Sequence, residues 1–120
     1  MRFLSIAMVL MLGSVLEAQA PAAAQDNAAP KGDTANGKKI FASYGCYQCH
    51  SYEGQNGVGA RLAPKPLSYQ AFAKYIRHPT REMPPYTEKV VKDQELADIY
   101  AYLLSIPAPP PANSIPLLAN

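Results

Sequence analysis

The 120 residues contain no alternating apolar and polar run long enough for a strand, which leaves an all-α class. Nothing repeats at a fixed period, so an array of small repeats is excluded and one compact domain is expected. No basic run of the kind that tracks phosphates is present, and the formal net charge is only +2, so nucleic acid is not an expected partner. The longest apolar stretch, Phe3 to Leu16, is too short for a comfortable membrane span. Cysteine and histidine occur only twice each, so a four-ligand zinc site would have to use Cys46, Cys49, His50 and His78, a spacing that fits no common finger.

Arg2, the apolar stretch and the alanine-rich sequence after it read as a secretory signal. Ala18-Gln19-Ala20 offers the small residues a signal peptidase wants, but Pro21 directly after blocks the cut. Cleavage is therefore expected after Ala22-Ala23-Ala24, removing residues 1–24 and leaving Gln25 as the new N-terminus, with an uncleaved anchor as the alternative. Only Arg2 and Glu17 leave with the signal, so the net charge stays at +2. This places the protein in the periplasm with no membrane span in the mature chain. Residues 25–32 then form a flexible leader, 33–106 the folded domain, and 107–120 a C-terminal tail with five prolines and no charge, mobile or docked on a partner.

Two cysteines in an exported chain would ordinarily form a disulfide. Cys46-Tyr47-Gln48-Cys49-His50 overrules that default, because Cys-x-x-Cys-His is the pattern that attaches c-type haem. Two intervening residues set both sulfurs along one edge of the macrocycle, where they add across its vinyl groups, and His50 follows beneath the iron. A disulfide over so short a span closes a strained loop and stabilises little. A thioredoxin-like dithiol would follow a strand in a βαβ pattern, and no strand-rich segment precedes Cys46.

The chain after residue 24 contains one methionine, Met83, 33 residues beyond His50. Met83-Pro84-Pro85 denies the backbone a helix, since each proline removes an amide donor and biases the residue before it toward extended geometry. A stiff loop of this kind can hold a thioether against iron as the second axial ligand, and sulfur there raises the potential. The competing roles are core gap-filling for Met83 and ligation by His78 or Lys74. His78 immediately precedes Pro79, where a solvated residue capping the last turn of a helix is the ordinary reading.

Three helices are expected. The first is capped by Asp33 or Thr34 and runs toward Tyr44, with Gly37, Ile40, Phe41 and Tyr44 on one face and Gly45 ending it. The second covers Ser68 to His78 with Tyr69, Phe72, Ala73 and Ile76 as its stripe. The third starts at Asp93 as cap and runs to about Ser105, with Leu96, Ile99, Tyr100 and Leu103 inward and Glu95 and Asp98 near its positive end. Gly54 to Pro66, rich in glycine and proline, should be an irregular loop.

From Asp33 to Ile106 the chain resembles the class I cytochrome c family, in particular small bacterial periplasmic monohaem cytochromes. The likeness is carried by Gly37 and Phe41, the motif at Cys46 to His50, Met83 with its prolines, and Ile99-Tyr100-Ala101-Tyr102-Leu103. It implies the cytochrome c fold, three to four helices around one covalently bound haem c, with Gly37 and Phe41 of the first helix crossing Ile99 and Tyr102 of the last. The family commonly has Gly-Pro-x-Leu after the haem motif, a carbonyl of which accepts the proton of the proximal histidine. This chain reads Gly59-Ala60-Arg61-Leu62 there. By position Arg61 is aimed at a haem propionate, with a solvated surface role as the alternative.

The function so implied is electron transfer without catalysis, between a periplasmic or membrane dehydrogenase and an oxidase or another cytochrome. Partners would dock transiently beside Cys46 and Cys49, through a small interface ringed by lysines such as Lys38, Lys39, Lys65 and Lys89. The rivals are a haem enzyme or gas sensor with an open sixth position, and a permanently bound subunit of a dehydrogenase complex. A domain of roughly 75 ordered residues buries little apolar surface unaided. The chain made without haem should therefore be largely unfolded, and a native-like helical far-ultraviolet dichroism spectrum of that form would overturn this expectation.

Overall fold

The computed structural model describes residues 28–64 and 66–118, so the expected signal segment and Lys65 lie outside the described residues. Four helices follow in order: α1 (Thr34–Ser43), α2 (Tyr47–His50), α3 (Tyr69–Arg77) and α4 (Asp93–Ser105), with a 3-10 turn at Ala112–Ser114. The described residues contain no strand, in keeping with the all-α expectation.

Local chemistry accounts for the helix ends. The Asp33 carboxylate caps α1 by accepting the Asn36 N–H at 2.9 Å. Ser68 caps α3 through its hydroxyl, and the His78 N–H closes the other end on the Lys74 carbonyl at 3.0 Å. At α4 the expected cap, Asp93, is instead the first helical residue, and Lys92 takes the cap position with its N–H donating to the Glu95 carboxylate at 2.7 Å. The Asp93 carboxylate is engaged elsewhere, 2.6 Å from the Arg77 guanidinium.

The core forms where α1 crosses α4. A Cβ on Gly37 would run into the backbone carbonyl of Asp98, so only glycine lets the two helices meet backbone to backbone. Phe41 then packs its ring 5.7 Å from that of Tyr102 at a 59° tilt, the pairing the family resemblance implies. On the other side of α4, α3 lays Phe72 and Tyr69 on Tyr100, with ring centroids 5.2 and 5.4 Å apart. Covered from both sides, α4 buries Leu96, Ala97, Ile99, Tyr100, Tyr102 and Leu103, more than the single stripe its periodicity predicts.

Asp98, expected near the positive end of the helix, is only 4% exposed. Its carboxylate accepts the Asp33 N–H at 2.8 Å, the Asn36 side-chain amide at 2.7 Å and the Gln94 side-chain amide at 2.9 Å. Asp33 thus caps α1 with its side chain and ties it to α4 with its backbone.

The leader expected to be flexible over 25–32 is anchored at its end. Ala29 packs on the core, and the Lys31 carbonyl accepts the Gln94 side chain at 3.0 Å. Toward the other terminus Pro109 shares the lining of a small surface pocket with Arg61, Ala63 and Pro64 of the middle loop.

Burial by itself would raise the Asp98 pKa, but the hydrogen bonds from Asp33, Asn36 and Gln94 outweigh it and hold the carboxyl below its usual value of 3.8. A depressed folded-state pKa means a contribution fully present above that value and lost as the pH falls through the lower folded one. Asp98→Asn should cost about 2 to 3 kcal/mol at neutral pH and flatten the acid limb of stability against pH. Urea titrations from pH 7 to 2 check both, and an unchanged acid limb would show that Asp98 is not the linked group.

Candidate functional site

The site is built from the end of α1. Gly45, with φ of 76°, turns the chain out of the helix, and the Cys46 N–H bonds back to the Phe41 carbonyl at 3.1 Å. The short α2 then carries Tyr47 to His50. Cys46 is half-buried and Cys49 is exposed, and the two are not joined in a disulfide. Burial pushes the Cys46 thiol up to about 11 against a smaller opposing backbone hydrogen bond.

His50 is 9% exposed, and its orientation is specified. Its Nδ1 lies 2.7 Å from the Ala60 carbonyl, which can only accept, so Nδ1 carries the proton and Nε2 keeps a lone pair able to ligate. Residues 54–63 make this possible by returning to the motif. The Gly59 N–H bonds the Cys49 carbonyl at 2.8 Å, and Leu62 and Ala63 N–H groups both bond the Gly54 carbonyl, at 2.7 and 2.9 Å. A Cβ on Gly59 would sit 2.6 Å from His50 Cε1, so a residue with no side chain is required against the imidazole. The acceptor that the departure from Gly-Pro-x-Leu had left open is the carbonyl of Ala60. A protonated Nδ1, an available Nε2 and two thiols on one edge are the donor set a c-type haem requires, so these residues fit that group.

Met83 is half-buried on the irregular segment between α3 and α4. Three residues on, Tyr86 ties that segment to the motif: its hydroxyl donates to the Tyr44 carbonyl at 3.1 Å, two residues before Cys46, and its N–H bonds the Ile76 carbonyl at 3.0 Å. Burial raises the Tyr86 phenol, and the cysteine sulfurs push the same way when charged, so it stays a neutral donor. His78 is exposed at the α3 end. Arg61 is exposed, with its Nε donating to the Gln55 carbonyl at 2.9 Å and its terminal nitrogens free of that bond. Lys38, Lys39 and Lys89 are exposed as well.

Cys46, Cys49, His50 and Ala60 are thus brought together directly, and the Met83 segment is brought to them through Tyr86. Sequence reasoning missed Tyr86, the Ala60 carbonyl and Arg77, the last donating to the Tyr86 carbonyl at 2.7 Å. The one signal available was the placement of an arginine and a tyrosine on either side of a proline-bounded methionine.

In the haem-loaded protein the His50 ring N–H should exchange slowly with solvent. Gly59→Ala should speed that exchange about tenfold or more by displacing the imidazole from Ala60, as read by proton NMR, whereas unchanged exchange would mean the loop yields instead of the ring.

The described residues include no helix long and apolar enough to cross a membrane. No curated protein matches the chain. The family model for cytochrome c oxidase, cbb3-type, subunit III matches residues 32–103, a span that holds the crossing helices, the haem motif and the Met83 segment. The chain therefore belongs to this cytochrome c family, whose domain implies haem c, redox partners and electron transfer.

Proposed function

We propose that the chain carries electrons on one haem c attached covalently through Cys46 and Cys49, with His50 and Met83 as the two axial ligands, in the periplasm after removal of residues 1–24. The observation that carries this reading is the His50 Nδ1 to Ala60 bond of 2.7 Å, which leaves the other ring nitrogen available for ligation. When bound, the haem supplies a one-electron couple at iron whose potential thioether ligation raises relative to a second imidazole. Pro84 and Pro85 stiffen the segment that presents the Met83 sulfur, and the Arg61 terminal nitrogens, not used by the bond to Gln55, would pair with a propionate. With both axial positions filled by protein, little has to rearrange when an electron arrives or leaves.

Electrons would leave at the haem edge beside the Cys46 to Cys49 segment. Partners would meet this edge through a small, salt-sensitive interface to which Lys38, Lys39 and Lys89 contribute. These partners would be a periplasmic or membrane dehydrogenase on one side and an oxidase or second cytochrome on the other. A second reading, a subunit held permanently in an oxidoreductase complex, is favoured by the match to an oxidase-subunit family and by Leu117 and Leu118 on the tail, 91% and 59% exposed. Co-elution with a partner at high salt would select it, and separation would select the carrier.

Expressed with a haem-attachment system, the protein should show a weak far-red band when ferric and a sharp α band when ferrous, and should ignore carbon monoxide. Met83→Ala should lose the far-red band and bind carbon monoxide. Met83→His should lower the potential by on the order of 0.1 V, within the roughly 0.8 V that axial ligands span. A wild-type ferrous form that binds carbon monoxide readily would sink the closed site in favour of an enzyme or sensor.

A further inference from the structure

The segment that carries Met83 is closed at its base by one side chain. Arg77, at the last position of α3, is 16% exposed and points its guanidinium into the gap between α3 and the start of α4. One terminal nitrogen donates to two backbone carbonyls, Tyr86 at 2.7 Å and Val91 at 2.6 Å, and the other to the Asp93 carboxylate at 2.6 Å. Residues 78–85 therefore leave from Arg77 and return to Arg77. The Tyr86 N–H doubles the closure through the Ile76 carbonyl at 3.0 Å, and the Tyr75 hydroxyl braces the outgoing limb on Thr80, 3.3 Å from its carbonyl.

The parts of this clasp differ in weight. Asp93 is 76% exposed, so its ion pair with Arg77 is screened and contributes little. The carbonyls of Tyr86 and Val91 have a largely buried cation as donor, and a charged donor makes the stronger bond. Lysine cannot reproduce it, because the three acceptors are arranged around a planar fork. Val91 is itself 2% exposed and fixed in the core, so the guanidinium links the returning limb of the loop to the core and to the first residue of α4.

We propose that Arg77 is a positioning residue for the Met83 thioether: by closing the base of the 78–85 loop it sets how often the sulfur leaves the iron. The inference rests on Met83 being an axial ligand. Local opening of a segment has its own free energy, separate from that of global unfolding, and is governed by the few bonds that close it. A ligand from solution can occupy the sixth position only in the opened form, so its apparent affinity measures the open population.

The test uses the full haem-loaded protein in the ferric state and imidazole as the probe, with the far-red band reporting Met83. Arg77→Gln should keep the band in the absence of probe and bind imidazole about tenfold more tightly. Arg77→Lys should fall between it and wild type, and Asp93→Asn should stay within about twofold of wild type. Asp98→Asn serves as the control, since it weakens the α1 and α4 junction away from the loop: its melting temperature should drop while its imidazole affinity stays within about twofold. If Arg77→Gln does not accumulate, a rise of about threefold or more in Arg77→Lys carries the same conclusion. Unchanged imidazole affinity in the Arg77 variants, with the far-red band present in wild type, overturns the role of Arg77 alone. So does a rise of the same size in Asp98→Asn, which would make the effect one of general stability. A wild type without the far-red band overturns the Met83 reading and this inference with it.

Discussion

The contact on which everything else rests is the meeting of α1 and α4 at Gly37. With the Asp98 carbonyl occupying the space of a side chain, the two helix axes approach as closely as backbones allow, and α1 has one available position on α4. Gly45 ends α1 two turns later, and the Cys46 N–H is still bonded to the Phe41 carbonyl. Whatever fixes α1 therefore fixes the two cysteines and His50. Asp98 reinforces the same junction. A buried carboxylate is tolerable only when donors surround it, and here the donors come from Asp33 and Asn36 of the α1 end and from Gln94 one turn back in α4.

How much of this was legible in the sequence depends on the range over which each interaction acts. The three long helices were readable because caps and apolar stripes are local: Asp33, Ser68 and Pro107 lie within a few residues of the ends they mark. The error at α4 arose where two adjacent residues competed for the cap. Asp93 has the better cap chemistry, but it is drawn to Arg77, 16 residues away. Cys46, Cys49 and His50 were legible as a candidate site because the Cys-x-x-Cys-His pattern constrains both residue type and spacing. The Ala60 carbonyl was not, since every residue carries a carbonyl and only the path of the loop selects one. Asp98 reads as an ordinary helix-start charge until its partners 62 and 65 residues earlier are brought to it.

With so small a core, the loops around the motif are held less by apolar burial than by phenol and guanidinium donors reaching backbone carbonyls. Tyr100 holds the chain ahead of α3 at Leu67, Tyr102 holds the loop after His50 at Tyr52, and Tyr86 holds the Met83 segment to Tyr44, at 2.8, 2.8 and 3.1 Å. Each tyrosine packs its ring inward and uses its hydroxyl to satisfy a loop carbonyl that would otherwise be left unpaired near an apolar site. Tyr100 and Tyr102 both project from α4, so the helix that forms the core also fixes the loops.

A one-electron carrier is served by an iron environment that hardly changes between its two oxidation states, which requires both ligand-bearing segments to refer to a common frame. The segment with His50 is referred to α1 through Gly45 and Cys46. The segment with Met83, the proposed second ligand, is referred to the end of α1 through Tyr86 and to the start of α4 through Arg77 and Asp93. Each of the two segments is therefore held to the helices by ties of its own, the first through the motif and the second through Tyr86 and the base of the 78–85 loop. The two sides are held unequally. His50 is packed against Gly59 and bonded to Ala60 within its own loop, whereas Met83 depends on ties three or more residues away. Any loosening of the site should therefore begin at the sulfur, and the groups that decide how readily it does so are the donors at the base of its loop.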